Sequence, residues 1–162
     1  VMPALINNFI QPKVIRHIAN ALADNPGAVL CAPDNGATKR VQQVADHFTH
    51  MFYSCKPIIQ ATKSRVDGRV QVASVNGDVK GKTIIIVDDI CDGGGTFIAL
   101  AEKLKQQGAS KVVLCVIHGL FTKGLEVLYS GGIDAIYTTD TICKGLHSTV
   151  RFNIKQANHL FV

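Results

Sequence analysis

Apolar residues recur along this chain in two alternating rhythms. Val14, Ile18, Ala21 and Leu22 fall at i, i+4, i+7 and i+8, the stripe of a helix buried on one side. Pro26-Gly27 ends that stripe. Ala28 to Ala32 is a short unbroken apolar run and predicts a buried strand. Val41, Val44, Ala45 and Phe48 restore helical spacing. Pro57-Ile58-Ile59 and Val70 to Val75 then predict two strands. In the second, Val70, Val72 and Ser74 alternate with Gln71, Ala73 and Val75. Between them, Thr62 to Arg69 holds three basic residues, Gly68 and one apolar residue, Val66. So little apolar surface predicts a mobile loop.

Thr83 to Val87, Thr-Ile-Ile-Ile-Val, carries the strongest strand signal. A β-branched run of this kind wants cover on both faces, as in a parallel sheet between helices. Asp88 to Gly95 is expected to be a loop. Phe97, Leu100, Ala101 and Leu104 form the next helical stripe, closed by Gly108. Lys111 to Ile117 predicts a strand, Leu125 to Tyr129 a short helix, and Ile133 to Thr138 a last strand. Strand and helix alternate without internal repeat or linker. The prediction is one α/β domain over 1–162, an open, mostly parallel sheet flanked by helices.

Composition agrees with a folded domain. Of 162 residues, 47% are hydrophobic and 18% charged, which excludes intrinsic disorder. No apolar run approaches the length needed to span a membrane. The five cysteines are far apart, with no Cys-x-x-Cys pair, against a disulfide framework or a zinc site and in favour of a reducing cytoplasm. The net charge of +5 comes from scattered basic residues with no interleaved aromatics, which argues against a nucleic-acid groove. Val1-Met2-Pro3-Ala4 lacks an initiator methionine and the pattern of a signal peptide, and reads as a piece cut from a longer protein.

Three segments that follow strands carry candidate chemistry, since ligands of open α/β sheets sit beyond the carboxyl ends of the strands. Asp88-Asp89-Ile90-Cys91-Asp92-Gly93-Gly94-Gly95-Thr96 sets carboxylates before a glycine turn, with Thr96 placed to cap the next helix. Glycines let amide groups approach an anion, and the helix start adds a positive dipole end. Its Gly-Thr end suits a phosphate, and its acidic pair suits sugar hydroxyls or a hard cation. A Walker A loop is excluded, because no Gly-Lys-Ser/Thr follows. Ala32-Pro33-Asp34-Asn35-Gly36-Ala37-Thr38-Lys39-Arg40 also joins a strand to a helix. Asp34 could hold a metal there, and Gly36-Ala37 with Lys39 and Arg40 a second anion; Asp-Asn-Gly is equally a common turn. Thr138-Thr139-Asp140-Thr141-Ile142 offers hydroxyls, but threonine is ordinary in strands.

Together these segments resemble a known family. Val87 to Thr96 resembles the signature by which phosphoribosyltransferase-fold (type I) proteins bind 5-phosphoribosyl diphosphate, PRPP. Ala32 to Arg40 resembles the pyrophosphate loop of ribose-phosphate pyrophosphokinases (PRPP synthetases), as do Gly77 to Lys82, Ile117 to Phe121 and Thr138 to Ile142 their further motifs. The similarity runs from about Leu5 to Val162 and covers the C-terminal of that family's two similar domains. It implies transfer of diphosphate from ATP to ribose 5-phosphate, giving PRPP and AMP with Mg²⁺. It implies that Asp88, Asp89, Asp92, Gly93, Gly94, Gly95 and Thr96 hold ribose 5-phosphate. Asp34 would be a Mg²⁺ ligand, and Gly36, Ala37, Lys39 and Arg40 the pyrophosphate cradle. It further implies homo-oligomers with active sites between subunits, and an N-terminal domain, missing here, that supplies a metal-binding histidine and most of the adenine pocket.

Two departures stand out. The family's catalytic Lys-x-Arg aligns with Lys63 and Arg65 through a one-residue deletion, whereas the ungapped alignment offers Thr62 and Ser64. Gly93 stands where the family has Thr or Ser. Three readings compete: a PRPP synthetase domain; a phosphoribosyltransferase that consumes PRPP, for which no segment is spare to form a hood over the base; and a non-catalytic regulatory relative. His118 follows a strand, where a packed role competes with a catalytic one.

Overall fold

Strand residues one apart point to opposite faces of a sheet, and this chain uses that rule to fill two separate cores. The structure is a computed structural model that describes residues 18, 21–52, 57–66 and 69–139. Its elements are β1 (Val29–Ala32), α1 (Asn35–Phe52), β2 (Ile58–Val66), β3 (Arg69–Asn76), β4 (Thr83–Cys91), α2 (Gly95–Gln106), β5 (Lys111–Gly119), α3 (Leu125–Ser130) and β6 (Ala135–Thr139). The strands make one sheet in the order β3-β2-β1-β4-β5-β6. Every neighbouring pair is parallel except β2 with β3.

On one face Val29, Cys31, Ile84, Ile86, Val112, Leu114 and Ile136 meet Phe97, Leu100, Ala101 and Leu104 of α2 and Leu125 and Leu128 of α3. On the other, Leu30, Ala32, Ile85, Val87, Val113, Cys115 and Tyr137 meet Val41, Val44, Ala45 and Phe48 of α1. Ile18, Ala21 and Leu22 of the first predicted helix join this second core; Val14 lies outside the described residues. Ile84, Ile85 and Ile86 are all fully buried, which is why this run carries no alternation. Each contributes about 1.5–3 kcal/mol relative to exposure.

Three expectations are corrected. Within the segment expected to be a loop, residues 62–66 and Arg69 are strand: β2 and β3 form an antiparallel pair from Gln60↔Asn76 to Val66↔Arg69, while residues 67 and 68 lie outside the described residues. Only Ile58, Ile59 and Gln60 of β2 pair with β1, so the rest of the strand relies on β3. Ladder hydrogen bonds and the Thr62–Ser74 hydroxyl contact of 2.7 Å replace the missing apolar contacts. Secondly, β3 does not alternate strictly. Thr62 pairs with Ser74 but Lys63 with Val72, so β3 carries one extra residue. This bulge re-aims the strand, and Val72 and Val75 both pack on the same core. Thirdly, β4 does not stop at Val87 but continues in register with β5 to Cys91↔Gly119. Asp88 and Asp89 are strand residues.

Candidate active site

The chain leaves β1 towards β2 on one side and β4 towards β5 on the other, although β1 and β4 are neighbours. Their following helices cover opposite faces. The carboxyl ends of β1 and β4 therefore flank the crevice where such sheets bind ligands.

At the end of β1, Asp34 caps α1: the Ala37 amide donates to its Oδ1 at 3.1 Å. The Thr38 hydroxyl donates to the Asp34 carbonyl at 3.3 Å, and Gln60 donates to Asn35 from β2. Ala37 itself is buried, while Gly36 and Lys39 are exposed. One turn further, Arg40 reaches across to β4. Its Nη1 lies 2.6 Å from Asp88 Oδ1 and its Nη2 2.9 Å from Asp89 Oδ2. One guanidinium thus bridges two adjacent carboxylates. The Asp88 side chain is 18% exposed and that of Asp89 50%. Burial pushes the Asp88 carboxyl up to about 6, and the Asp89 carboxylate adds to the rise against the pull of Arg40.

After β4 the turn is built by backbone. Gly94 takes φ +77 at the N-cap of α2, which has no side-chain cap. This corrects the expectation for Thr96, which sits inside the first turn rather than capping it. The amides of that turn are left for solvent or an anion. Gly94 is also required by the core, because a Cβ there would overlap Leu128 of α3. Cys91 is buried and its thiol is pushed up to about 12, first by burial and then by Asp92 and Asp88, so it is no nucleophile at neutral pH.

A second turn clasps this one. The amides of Leu120 and Phe121 donate to the Cys91 carbonyl at 2.8 and 3.2 Å. The Thr122 amide donates to the Asp92 carbonyl at 3.3 Å, and the Thr122 hydroxyl to Asp92 Oδ1 at 2.7 Å. Gly119 admits the Phe121 ring beside Thr138. The predicted motif around His118 and the start of the Thr138 motif therefore meet beside the turn after β4. Asp140, Thr141 and Ile142 lie outside the described residues. His118 is half-buried in β5, opposite Ile90 and Thr139 in register.

Lys63 and Arg65 stand on β2, paired with Val72 and Val70, rather than on a loop. The Arg40 bridge and the contacts of Thr122 were not foreseen from sequence, since residues some 30 to 49 positions apart make them.

Residues 8–131 match the phosphoribosyl transferase domain. The chain belongs to that family. It is 37% identical over 142 residues to a ribose-phosphate pyrophosphokinase of Pyrococcus furiosus, covering 86% of this chain and 48% of that one. A ribose-phosphate pyrophosphokinase of Campylobacter jejuni is 33% identical, with 85% and 40% covered. The chain thus spans about half the length of the curated relatives it matches. Among solved structures, the phosphoribosylpyrophosphate synthetase of Mycobacterium smegmatis superposes with a TM-score of 0.70 at 27% identity, covering 91% of this chain and 46% of that one. A hypoxanthine-guanine phosphoribosyltransferase of Bacillus anthracis shares the fold, with a TM-score of 0.53 at 21% identity and 66% and 64% covered. The type I phosphoribosyltransferase fold expected from the motifs is the fold of this family. Among the described residues no helix is long and apolar enough to cross a membrane.

Proposed function

We propose that this chain is the sugar-phosphate half of a ribose-phosphate diphosphokinase, which transfers diphosphate from ATP to ribose 5-phosphate. The observation that carries the reading is the Arg40 bridge, which sets the Asp34–Arg40 segment against the carboxylates that precede the glycine turn. One segment suits a diphosphate and the other a phosphorylated sugar, and transfer needs them side by side. The names of the relatives support the same reaction.

In this reading the amides of Gly93, Gly94, Gly95 and Thr96 hold the 5-phosphate. Asp88, Asp89 and Asp92 face the ribose hydroxyls. The C1 hydroxyl oxygen attacks the β-phosphorus, the bond to the α-phosphate oxygen breaks, AMP leaves, and the hydroxyl proton is released. Ribose hydroxyls that take over Asp88 and Asp89 free Arg40 to turn to the diphosphate beside Lys39. Lys63 and Arg65 supply further positive charge to the phosphoryl group in transfer.

No cluster of three or more metal-ligating side chains occurs among the described residues. Magnesium does not need one, because it binds through one or two carboxylates plus substrate phosphates. Asp34, a hard oxygen donor at the diphosphate side, fits that role. The ion would neutralise phosphate charge. The reading extends to a cytoplasmic homo-oligomer whose ATP pocket is completed by residues outside this chain.

The test measures AMP formed from ATP, ribose 5-phosphate and Mg²⁺ by the natural full-length protein, with ribose 5-phosphate binding measured in parallel. Lys63→Ala and Arg65→Ala should lower kcat by orders of magnitude while leaving that binding nearly intact. The 162-residue chain alone should bind the sugar phosphate and turn over very slowly. Consumption of PRPP with a nucleobase, and no AMP from ATP, would favour the phosphoribosyltransferase reading instead.

A further inference from the structure

The glycine turn after β4 has too little positive charge for the ligand assigned to it. Asp88, Asp89 and Asp92 precede it; Arg40 pairs with the first two and, in the proposed reaction, turns to the diphosphate rather than to this turn. A phosphate monoester arriving there brings about −1.5 to −2 charges at neutral pH. Backbone amides can bond it, but they carry no net charge to offset the carboxylates.

One cation is held beside the turn. The clasp described above, four hydrogen bonds from Leu120, Phe121 and Thr122 to Cys91 and Asp92, fixes the next residue, Lys123, against Gly93. The Gly124 amide donates back to the Phe121 carbonyl at 2.8 Å and closes the turn that carries Lys123. The lysine stem runs along the glycine: a Cβ on Gly93 would lie 3.3 Å from Lys123 Cε, 3.4 Å from Cδ and 3.6 Å from Cγ. A side chain at position 93 would press on this flexible stem and shift it by a few tenths of an ångström. Among the described residues Lys123 has no ion-pair partner.

We propose that Lys123 is a phosphate-binding residue of this site, its ammonium engaging the 5-phosphate while the glycine-turn amides bond the other oxygens. The inference rests on the reading that residues 92–96 hold a sugar phosphate. It goes beyond that reading by assigning the charge to a residue on a different loop.

The experiment is calorimetric titration of the 162-residue chain with ribose 5-phosphate and with ribose, in low and high salt. Lys123→Ala should weaken ribose 5-phosphate about tenfold, the value of one charge-assisted bond, and leave ribose unchanged. The loss should shrink at high salt, and Lys123→Arg should recover most of it. Gly93→Ala should weaken ribose 5-phosphate less than Lys123→Ala does, by nudging the lysine stem, and should add nothing in the Lys123→Ala background. Lys123 is exposed, so melting temperatures should stay level and separate lost binding from lost fold. If wild type binds ribose 5-phosphate and Lys123→Ala binds it equally well, the inference is wrong and the proposed function stands. If wild type does not bind ribose 5-phosphate, both fall together.

Discussion

The two strand-to-helix turns at the crevice do similar work by opposite means. After β1, a side chain finishes the helix: Asp34 takes the Ala37 amide. After β4, no side chain does so, and Gly94 reaches the required backbone shape with φ +77. A capped helix end has already spent part of its anion-binding capacity, and an uncapped one keeps it. The difference teaches which turn is the better phosphate cradle. It also separates the kinds of substitution each turn can survive.

Gly94→Val should have the largest effect. The left-handed backbone and the overlap with Leu128 both act against it, and together they should cost about 3 kcal/mol or more. Urea unfolding would show this, and wild-type stability would mean that the turn after β4 does not depend on its glycine. Such a variant therefore loses fold and ligand together and cannot isolate the binding role. Asp89→Asn can, because the side chain is half-exposed. It should weaken ribose 5-phosphate about tenfold with little change in melting temperature.

Asp34→Ala should cost about 1 kcal/mol through loss of the cap. Asp34→Asn keeps a capping oxygen and should restore that stability, yet not the Mg²⁺-dependent AMP formation proposed above. If Asn restores both, Asp34 is a cap and nothing more. The smallest effect concerns Asp88. Its folded carboxyl holds a proton more strongly than the ordinary value of 3.8, up to about 6. Its contribution thus favours folding at low pH and is lost as pH rises through about 6. Between roughly pH 4 and 6 the wild-type melting temperature should carry a downward slope with rising pH that Asp88→Asn lacks. Identical slopes would show that burial does not govern this carboxyl.

The local rhythm of the sequence determined most of the fold. The stripes of α1 and α2 and the β-branched run from Ile84 to Val87 each demand burial on known faces, and the glycine turn with its preceding carboxylates is contiguous in the chain. Local pattern was silent wherever a partner from elsewhere decided the outcome. Residues 62–66, part of the stretch from Thr62 to Arg69, are polar enough to read as a loop and are strand only because β3 completes their ladder. Asp88 and Asp89 stay in a strand because β5 pairs alongside, and their charge is tolerated because Arg40, 48 and 49 residues away, reaches them. Lys123 looked like one scattered surface lysine. Its place on Gly93 exists only because the turn after β5 hydrogen-bonds to the turn after β4. Periodicity reports which side of an element wants to leave water. Tertiary structure alone decides which polar groups meet once it has left.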